Sequence, residues 1–417
     1  AQELHVESSA LLPNAMASLD SKVHDGERLP LPTGIQGLVI KFGQDQVDAI
    51  ENCIQLVPQL PPLLSELQDG DVVIAVEAAE VVWTDTVMAT GQYQHQPRLP
   101  FTPGTVAGRI VWAGPAARGQ GFVEGERVIS QGGGARTTGR YQKWGGCASY
   151  AVGPAAGLQK VPTHWTMAQA ACFGYGYGTV HYCLVEVADL QKGHVILIQG
   201  ATGGVGIPAV QMAKLLGATV IAATRSASKI DFLKHIGADH VILTANEDGE
   251  PRQFRDDVKQ LTKGRGVDVV YDGVGGDDIT VESMRACAFG AKFLIVGWAA
   301  TPNVASGGGK GRGLGAPNPN RMPTNLVMMK GLHVIGCPAV ISLQRQSKEK
   351  AAAILRRRNK DIHEWTFSGQ LPGPVVAKTF PLSDMKAALR TRVRSGSEMG
   401  STVVCPPTLP GITAAKL

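Results

Sequence analysis

Between residues 33 and 162 the apolar positions come in short β-type stretches, "DVVIAVEAAEV", "AGRIVWAG", "GERVIS" and "CASYAVG", each closed by turn residues. That pattern predicts a mainly β, barrel-like domain. Past Pro162 the texture changes. "HVILIQG" is followed by the helix-length "GIPAVQMAKLLG", then "TVIAAT", "SKIDFLKHIG" and "HVILT"; further on come "VDVVYDGVGG", "VESMRACAFG", "KFLIVGW" and "LHVIGC". These apolar runs are almost continuous, as they are when both faces of a strand are covered. Alternation with helices then implies a doubly wound parallel sheet, so the fold class is α/β over residues 163–365. Two late segments, "GPVVAKTF" and "STVVC", again look like strands and are expected to return to the first domain, which 366–417 would complete. Residues 1–32 are polar and Pro-containing without periodicity and read as an N-terminal extension. Residues 301–323, rich in Gly, Pro and Asn, read as an insertion in the second domain. It is either a surface loop or a lid whose Lys310, Arg312 and Arg321 meet a phosphate-bearing ligand.

The stretch "QGATGGVG", residues 199–206, lies between the first of these strands and its helix. Counted from Ala201 it reads A-x-G-x-x-G, with Gly203 and Gly206 placed to admit a pyrophosphate and to let helix and strand approach closely. The N–H groups of Gly204, Val205 and Gly206 would face the phosphates at the helix N-terminus. A plain turn is the alternative, and the flanking strand, helix and second strand speak against it. That second strand ends at Thr224, where an NAD site normally carries a carboxylate for the ribose hydroxyl. Here Arg225, Ser226 and Lys229 follow, a set suited to a 2′-phosphate, so NADPH is the expected cofactor. Solvated surface charges remain the other reading of Arg225 and Lys229.

Composition limits the function classes. The chain has 417 residues, 44% hydrophobic and 18% charged, with 40 basic against 35 acidic side chains for a net charge of +5. That is room for two domains, without the concentrated basic patch of a nucleic-acid binder. Seven dispersed cysteines without a C-x-x-C pair suggest reduced thiols inside a cell. No apolar run is long enough to cross a bilayer and no secretory signal is visible, so a soluble intracellular protein is expected, cytoplasmic or of the mitochondrial matrix. The start at Ala1 is compatible with Met removal or with cleavage of a presequence.

Six segments together carry a resemblance: "LPFTPGTVAGRIVWAG" (99–114), "GYGTVHYCL" (176–184), residues 199–224, "GADHVI" (237–242), "GVDVVYDGVGGD" (266–277) and "PTNLVMMKGLHVIG" (323–336). In order and spacing, over roughly 33–405, the chain resembles the zinc-independent quinone oxidoreductase branch of the medium-chain dehydrogenase/reductases. The resemblance implies a GroES-like catalytic domain, a Rossmann NADP-binding domain and a homodimer or homotetramer. It also implies a tyrosine acting on the acceptor, here Tyr93 in "ATGQYQHQP", as a hydrogen-bond or proton donor. A Tyr packing at the cleft edge is the alternative for that residue. Tyr177 and Thr179 match positions beside the nicotinamide, and Val274, Gly297 and Asn325 match others around the cofactor.

Zinc-dependent relatives need closely spaced cysteines and a Gly-His-Glu run. This chain has Thr84-Asp85 and "PGTVAG" at those places, so no metal ligands are assigned. Without a metal to polarise an isolated carbonyl, hydride transfer to a conjugated acceptor fits best: a quinone, an enone or an enoyl thioester. Departures from the pattern include Val82 in place of an Asn, a missing Glu in "PGTVAG", and Ser401 in place of a Lys after Gly400. They leave three readings open: a quinone or enone reductase, a 2-enoyl thioester reductase, or a cofactor-holding subunit of a larger assembly without turnover. The basic segment "SKEKAAAILRRRNKDIHEW" reads as a solvated helix, and His181, His194, His235 and His240 lack metal-ligand spacing.

Overall fold

The computed structural model describes residues 26–93, 97–130, 145–297, 320–339, 343, 345–393 and 398–409; the readings made on 1–25 and on 301–319 lie outside them. Among the described residues the chain is a mixed α/β molecule with one largely antiparallel sheet, one parallel sheet and a two-stranded antiparallel ribbon of Gly34–Val39 and Ile54–Gln59.

In the first, seven-stranded sheet the long strand Asp71–Val81 is central. It pairs antiparallel with Ala107–Ala113 and Tyr150–Pro154 along its first part, and with Ser401–Cys405 along its last. Val376–Pro381 continues the sheet beyond Ser401–Cys405, so the two late strand-like segments do join the sheet built by the first half of the chain. The run is apolar because Val72, Val73 and Ile74 are all buried, at 0%, 0% and 2% exposure. Part of the stretch read as an extension belongs to this packing: Arg28 forms a bridge with Leu63, and Leu29 is buried beside Val73, Tyr150 and Val152. The two leucines in "RLPLP" supply the apolar area that the surrounding polar residues obscured in the sequence.

The second sheet holds six strands, in spatial order His240–Leu243, Thr219–Thr224, Val195–Gln199, Val267–Asp272, Cys287–Ile295 and His333–Gly336. All neighbours are parallel. Numbered along the chain this is 3-2-1-4-5-6, the order of a dinucleotide-binding Rossmann sheet. The winding reverses between Val195–Gln199 and Val267–Asp272, where ligands bind in open α/β sheets. The register brings Gln199, Asp272 and Ile295 level at the carboxyl edge of that switch point. Behind it, the helix Gly206–Leu215 is buried along most of its length, and its Pro208 sits in the first turn, where a missing N–H costs no helical bond.

The basic segment forms the helix Lys348–Phe367, capped by the Ser347 hydroxyl accepting from Lys350 N at 3.2 Å; only Ile362 and Thr366 on it are buried. One apolar cluster joins the two sheets, containing Ala78, Ala107 and Ile129 from strands of the first, Ile198 from a strand of the second, and Tyr177, Ala201 and Ala209 from the helices and turn beside it. The two parts of the chain therefore share a buried hydrophobic core.

Candidate functional site

The glycine stretch turns tightly off the end of Val195–Gln199. Gly200 has φ +68°, a conformation few side chains adopt, and its carbonyl accepts the N–H of Gly203 at 3.0 Å. Ile207 N then donates to Gly203 O at 3.0 Å and the helix begins. A Cβ on Gly206 would lie 2.0 Å from the Gly200 oxygen, so helix and strand approach as closely as the fingerprint requires. At Gly203 the nearest atom would be 3.4 Å away, and at Gly204 the nearest are Glu80 Oε1 at 3.7 Å and Ser401 Oγ at 4.0 Å. The turn is thus filled underneath and open above. Ala201 is wholly buried and Val205 half-buried, and the start of the helix carries no side-chain cap.

The adjacent strand ends at Thr224, which is 7% exposed; its hydroxyl accepts from Ser226 N at 3.3 Å. Ser226 Oγ lies 2.8 Å from Ser228 Oγ. Arg225 is exposed, with Nη2 donating to Gly249 O at 3.4 Å. Lys229 is not a solvated surface group: it is 6% exposed, and burial holds its ammonium below the ordinary lysine pKa, opposed by Glu398.

Across the switch point, buried Asp272 accepts the N–H groups of Val274 at 3.0 Å and Gly275 at 2.8 Å. Burial raises its pKa and these two bonds oppose the rise. Its carbonyl accepts from Gly297 N at 3.1 Å, and a Cβ on Gly297 would come within 2.7 Å of Gly273 O. Val274 reaches over the cradle, since a Cβ on Gly200 would lie 2.9 Å from its Cγ2.

The remaining sequence candidates are scattered. Tyr93 is half-buried and packs against the cluster of Val39, Ile50, Met88 and Phe101. Tyr177 differs from expectation: its side chain is 0% exposed, stacks on Phe173 at 4.7 Å and donates to Gln211 Oε1 at 2.6 Å. It is a core residue, and burial pushes its phenol well up in pKa. Thr179 is half-buried on the same helix, and Asn325 is exposed in the first turn of Thr324–Lys330.

The fold adds residues that sequence reasoning passed over. Gly400 N donates to Thr202 O at 3.2 Å, which ties the last strand to the glycine turn. Arg392 Nη1 donates to Gly400 O at 3.3 Å, and the guanidinium lies in the fields of Glu80 and Glu398, which oppose the lowering of its pKa by burial. Cys172, whose Sγ donates to Ala168 O at 3.2 Å, is pushed well up in pKa by burial and then by Glu80. Glu80 is a carboxylate 2% exposed in the strand Asp71–Val81, which also carries Asp71 and Glu77, so the sequence alone did not single it out.

Comparison with known proteins follows this geometry. The alcohol dehydrogenase GroES-like domain model matches residues 68–163 and the zinc-binding dehydrogenase model matches 204–354. The chain is 29% identical over 328 residues to a quinone oxidoreductase-like protein 2 homolog of Nematostella vectensis, covering 78% of this chain and 79% of that one. It is 34% identical over 271 residues to erythronolide synthase EryA2 of Saccharopolyspora erythraea, covering 64% of this chain and 7% of the synthase. Among solved structures, mycobacterial Rv1454c complexed with NADPH superposes with a TM-score of 0.68 at 26% identity, covering 90% of this chain and 99% of that one. Among the described residues no helix is long and apolar enough to cross a membrane.

Proposed function

We propose that this chain is an oxidoreductase of the quinone oxidoreductase branch of the medium-chain dehydrogenase/reductases, which its matches support, and that it binds NADPH and reduces a quinone or an α,β-unsaturated carbonyl compound. The observation that carries this reading is the glycine turn at the switch point, filled below Gly206 and open above Gly203, beside a strand end that offers Thr224 and buried Lys229 instead of a carboxylate.

The fit is chemical as well as steric. The N–H groups of Gly204, Val205 and Gly206 suit a pyrophosphate, and Arg225, Ser226 and Lys229 suit a 2′-phosphate. Bound there, the cofactor supplies a hydride. The backbone of Val274 and Gly297 forms the opposite wall, and the shared buried core excludes water beneath the glycine turn. An acceptor that takes up a hydride also needs one proton. The Tyr93 hydroxyl is the donor proposed to hydrogen-bond the acceptor oxygen and steady its developing charge. A conjugated acceptor spreads that charge itself, which lowers the demand on the protein.

The assembly belongs to the same proposal: His333–Gly336 ends the parallel sheet, and an end strand is the part of a sheet that can pair with a second copy. The direct test supplies purified protein with NADPH or NADH and, in turn, a water-soluble quinone, a short enone and crotonyl-CoA. Faster NADPH oxidation with at least one acceptor is expected. Bound NADPH without turnover on any of them would instead favour the accessory-subunit reading.

A further inference from the structure

A carboxylate and a hydroxyl from the first sheet stand against the glycine turn. A Cβ built on Gly204 would have Glu80 Oε1 and Ser401 Oγ as its nearest neighbours, at 3.7 Å and 4.0 Å. Both side chains are buried, at 2% and 5% exposure. Backbone bonds fix their positions. Glu80 pairs with Val403 across two strands, its N–H donates to Thr105 Oγ1 at 3.0 Å, and its carbonyl accepts from Thr105 N at 2.9 Å. Ser401 N donates to Val375 O at 2.9 Å, and one residue earlier Gly400 N donates to Thr202 O at 3.2 Å.

Gly204 is also where the proposed site takes on negative charge, since its N–H belongs to the set suited to a pyrophosphate. A carboxylate buried beside that group repels it through a medium that screens poorly. A hydroxyl offers a neutral donor, weaker towards phosphate than an ammonium. The sequence points independently to the same corner, because Ser401 stands where the resemblance pattern has a Lys after the glycine. The two side chains nearest to a Cβ on Gly204 are therefore an acid and an alcohol, and neither is a cation.

Resting on the NADPH reading, we propose that Glu80 is an affinity-setting residue of the glycine cradle: its buried carboxylate, with the Ser401 hydroxyl beside it, weakens the hold on the diphosphate of the dinucleotide. The cofactor then acts as an exchanging co-substrate, and the oxidised dinucleotide leaves readily after each turnover. NADPH and NADH share the diphosphate, so Glu80 penalises both equally and leaves the choice between them to the strand end at Thr224.

The test is titration of NADPH and NADH by fluorescence, and of adenosine 2′-monophosphate by calorimetry, with the unaltered full chain, Glu80→Gln and Ser401→Lys, each checked for its thermal midpoint. Glu80→Gln keeps the shape and removes the charge, and is expected to tighten NADPH and NADH alike by about tenfold. Ser401→Lys supplies the cation of the pattern and is expected to act in the same direction. Adenosine 2′-monophosphate has a 2′-phosphate and no diphosphate, so its affinity is expected to stay within about twofold. A purely structural role would move all three ligands together. Should one variant fail to fold, the other decides alone. Folded variants whose dinucleotide affinities stay within about twofold of the unaltered protein, or fall, overturn the proposal, as does an equal gain for adenosine 2′-monophosphate. If neither the unaltered protein nor Glu80→Gln binds a dinucleotide, the functional reading itself falls, which separates the two failures.

Discussion

The hydroxyl of Tyr177 donates to Gln211 Oε1 at 2.6 Å, and Gln211 Nε2 donates in turn to Gly373 O at 3.1 Å. This buried relay links the helix Phe173–His181 to the helix Gly206–Leu215 behind the cradle and on to the segment that re-enters the first sheet. A side chain that resemblance places beside the nicotinamide is thus committed to holding the domains together.

Tyr177→Phe keeps the ring stacked on Phe173 but leaves a Gln211 acceptor buried and unpaired. A loss of about 1–3 kcal/mol is expected in urea unfolding, the desolvation cost of one orphaned polar group. NADPH affinity, measured by fluorescence, should stay within about twofold. A selective loss of cofactor binding with unchanged stability would restore Tyr177 to the site.

The two fingerprint glycines should fail differently. Gly206→Ala drives a methyl to 2.0 Å from the Gly200 oxygen, so strand and helix must part, at about 1–3 kcal/mol. Gly203→Ala meets nothing closer than 3.4 Å and should leave the thermal midpoint near that of the unaltered protein. Its methyl projects into the open side of the turn, and NADPH binding should weaken about tenfold or more. Calorimetry of both variants with and without NADPH reads both effects.

Tyr93→Phe tests the proposed donor. Removal of a positioned proton or hydrogen-bond donor lowers turnover by about 10²-fold or more, while the phenyl ring retains the packing against Val39 and Phe101. The expected signature is a fall in kcat with the NADPH dissociation constant unchanged. Full activity in the variant would reduce Tyr93 to a wall of the cleft.

His181 makes stability depend on pH. Its Nε2 lies 2.9 Å from Oδ2 of the partly exposed Asp361; the imidazole itself is buried, and burial holds it below its usual pKa of 6.5 although Asp361 opposes this. The unfolded chain takes up the proton below that value while the folded chain resists. Stability from this group is therefore complete above about pH 6.5 and is lost as the pH falls towards the folded pKa. Urea unfolding between about pH 7 and pH 5 should show the decline, and His181→Gln, which keeps a donor for Asp361, should flatten it. An equally steep decline in the variant would place the effect elsewhere.

Much of the architecture was legible along the chain because it rests on local pattern. Strand and helix alternation after Pro162, the glycine spacing of 199–206 and the missing carboxylate at Thr224 are all short-range features, and the sheet order then follows from few topological options. The polar residues that surround the glycines were not legible. Glu80, Arg392 and Ser401 come from a central strand and from the chain's last sixth, and no periodicity announces that Gly400 will bond Thr202. Tyr177 shows the same limit from the other side, since its motif position says nothing about where its hydroxyl points. Sequence alone pointed to the proposed cradle and the cofactor class, because backbone spacing and residue type suffice for both. Only the tertiary structure decided which charges border that cradle, because burial and long-range pairing set the strength of every charge in a cleft between domains.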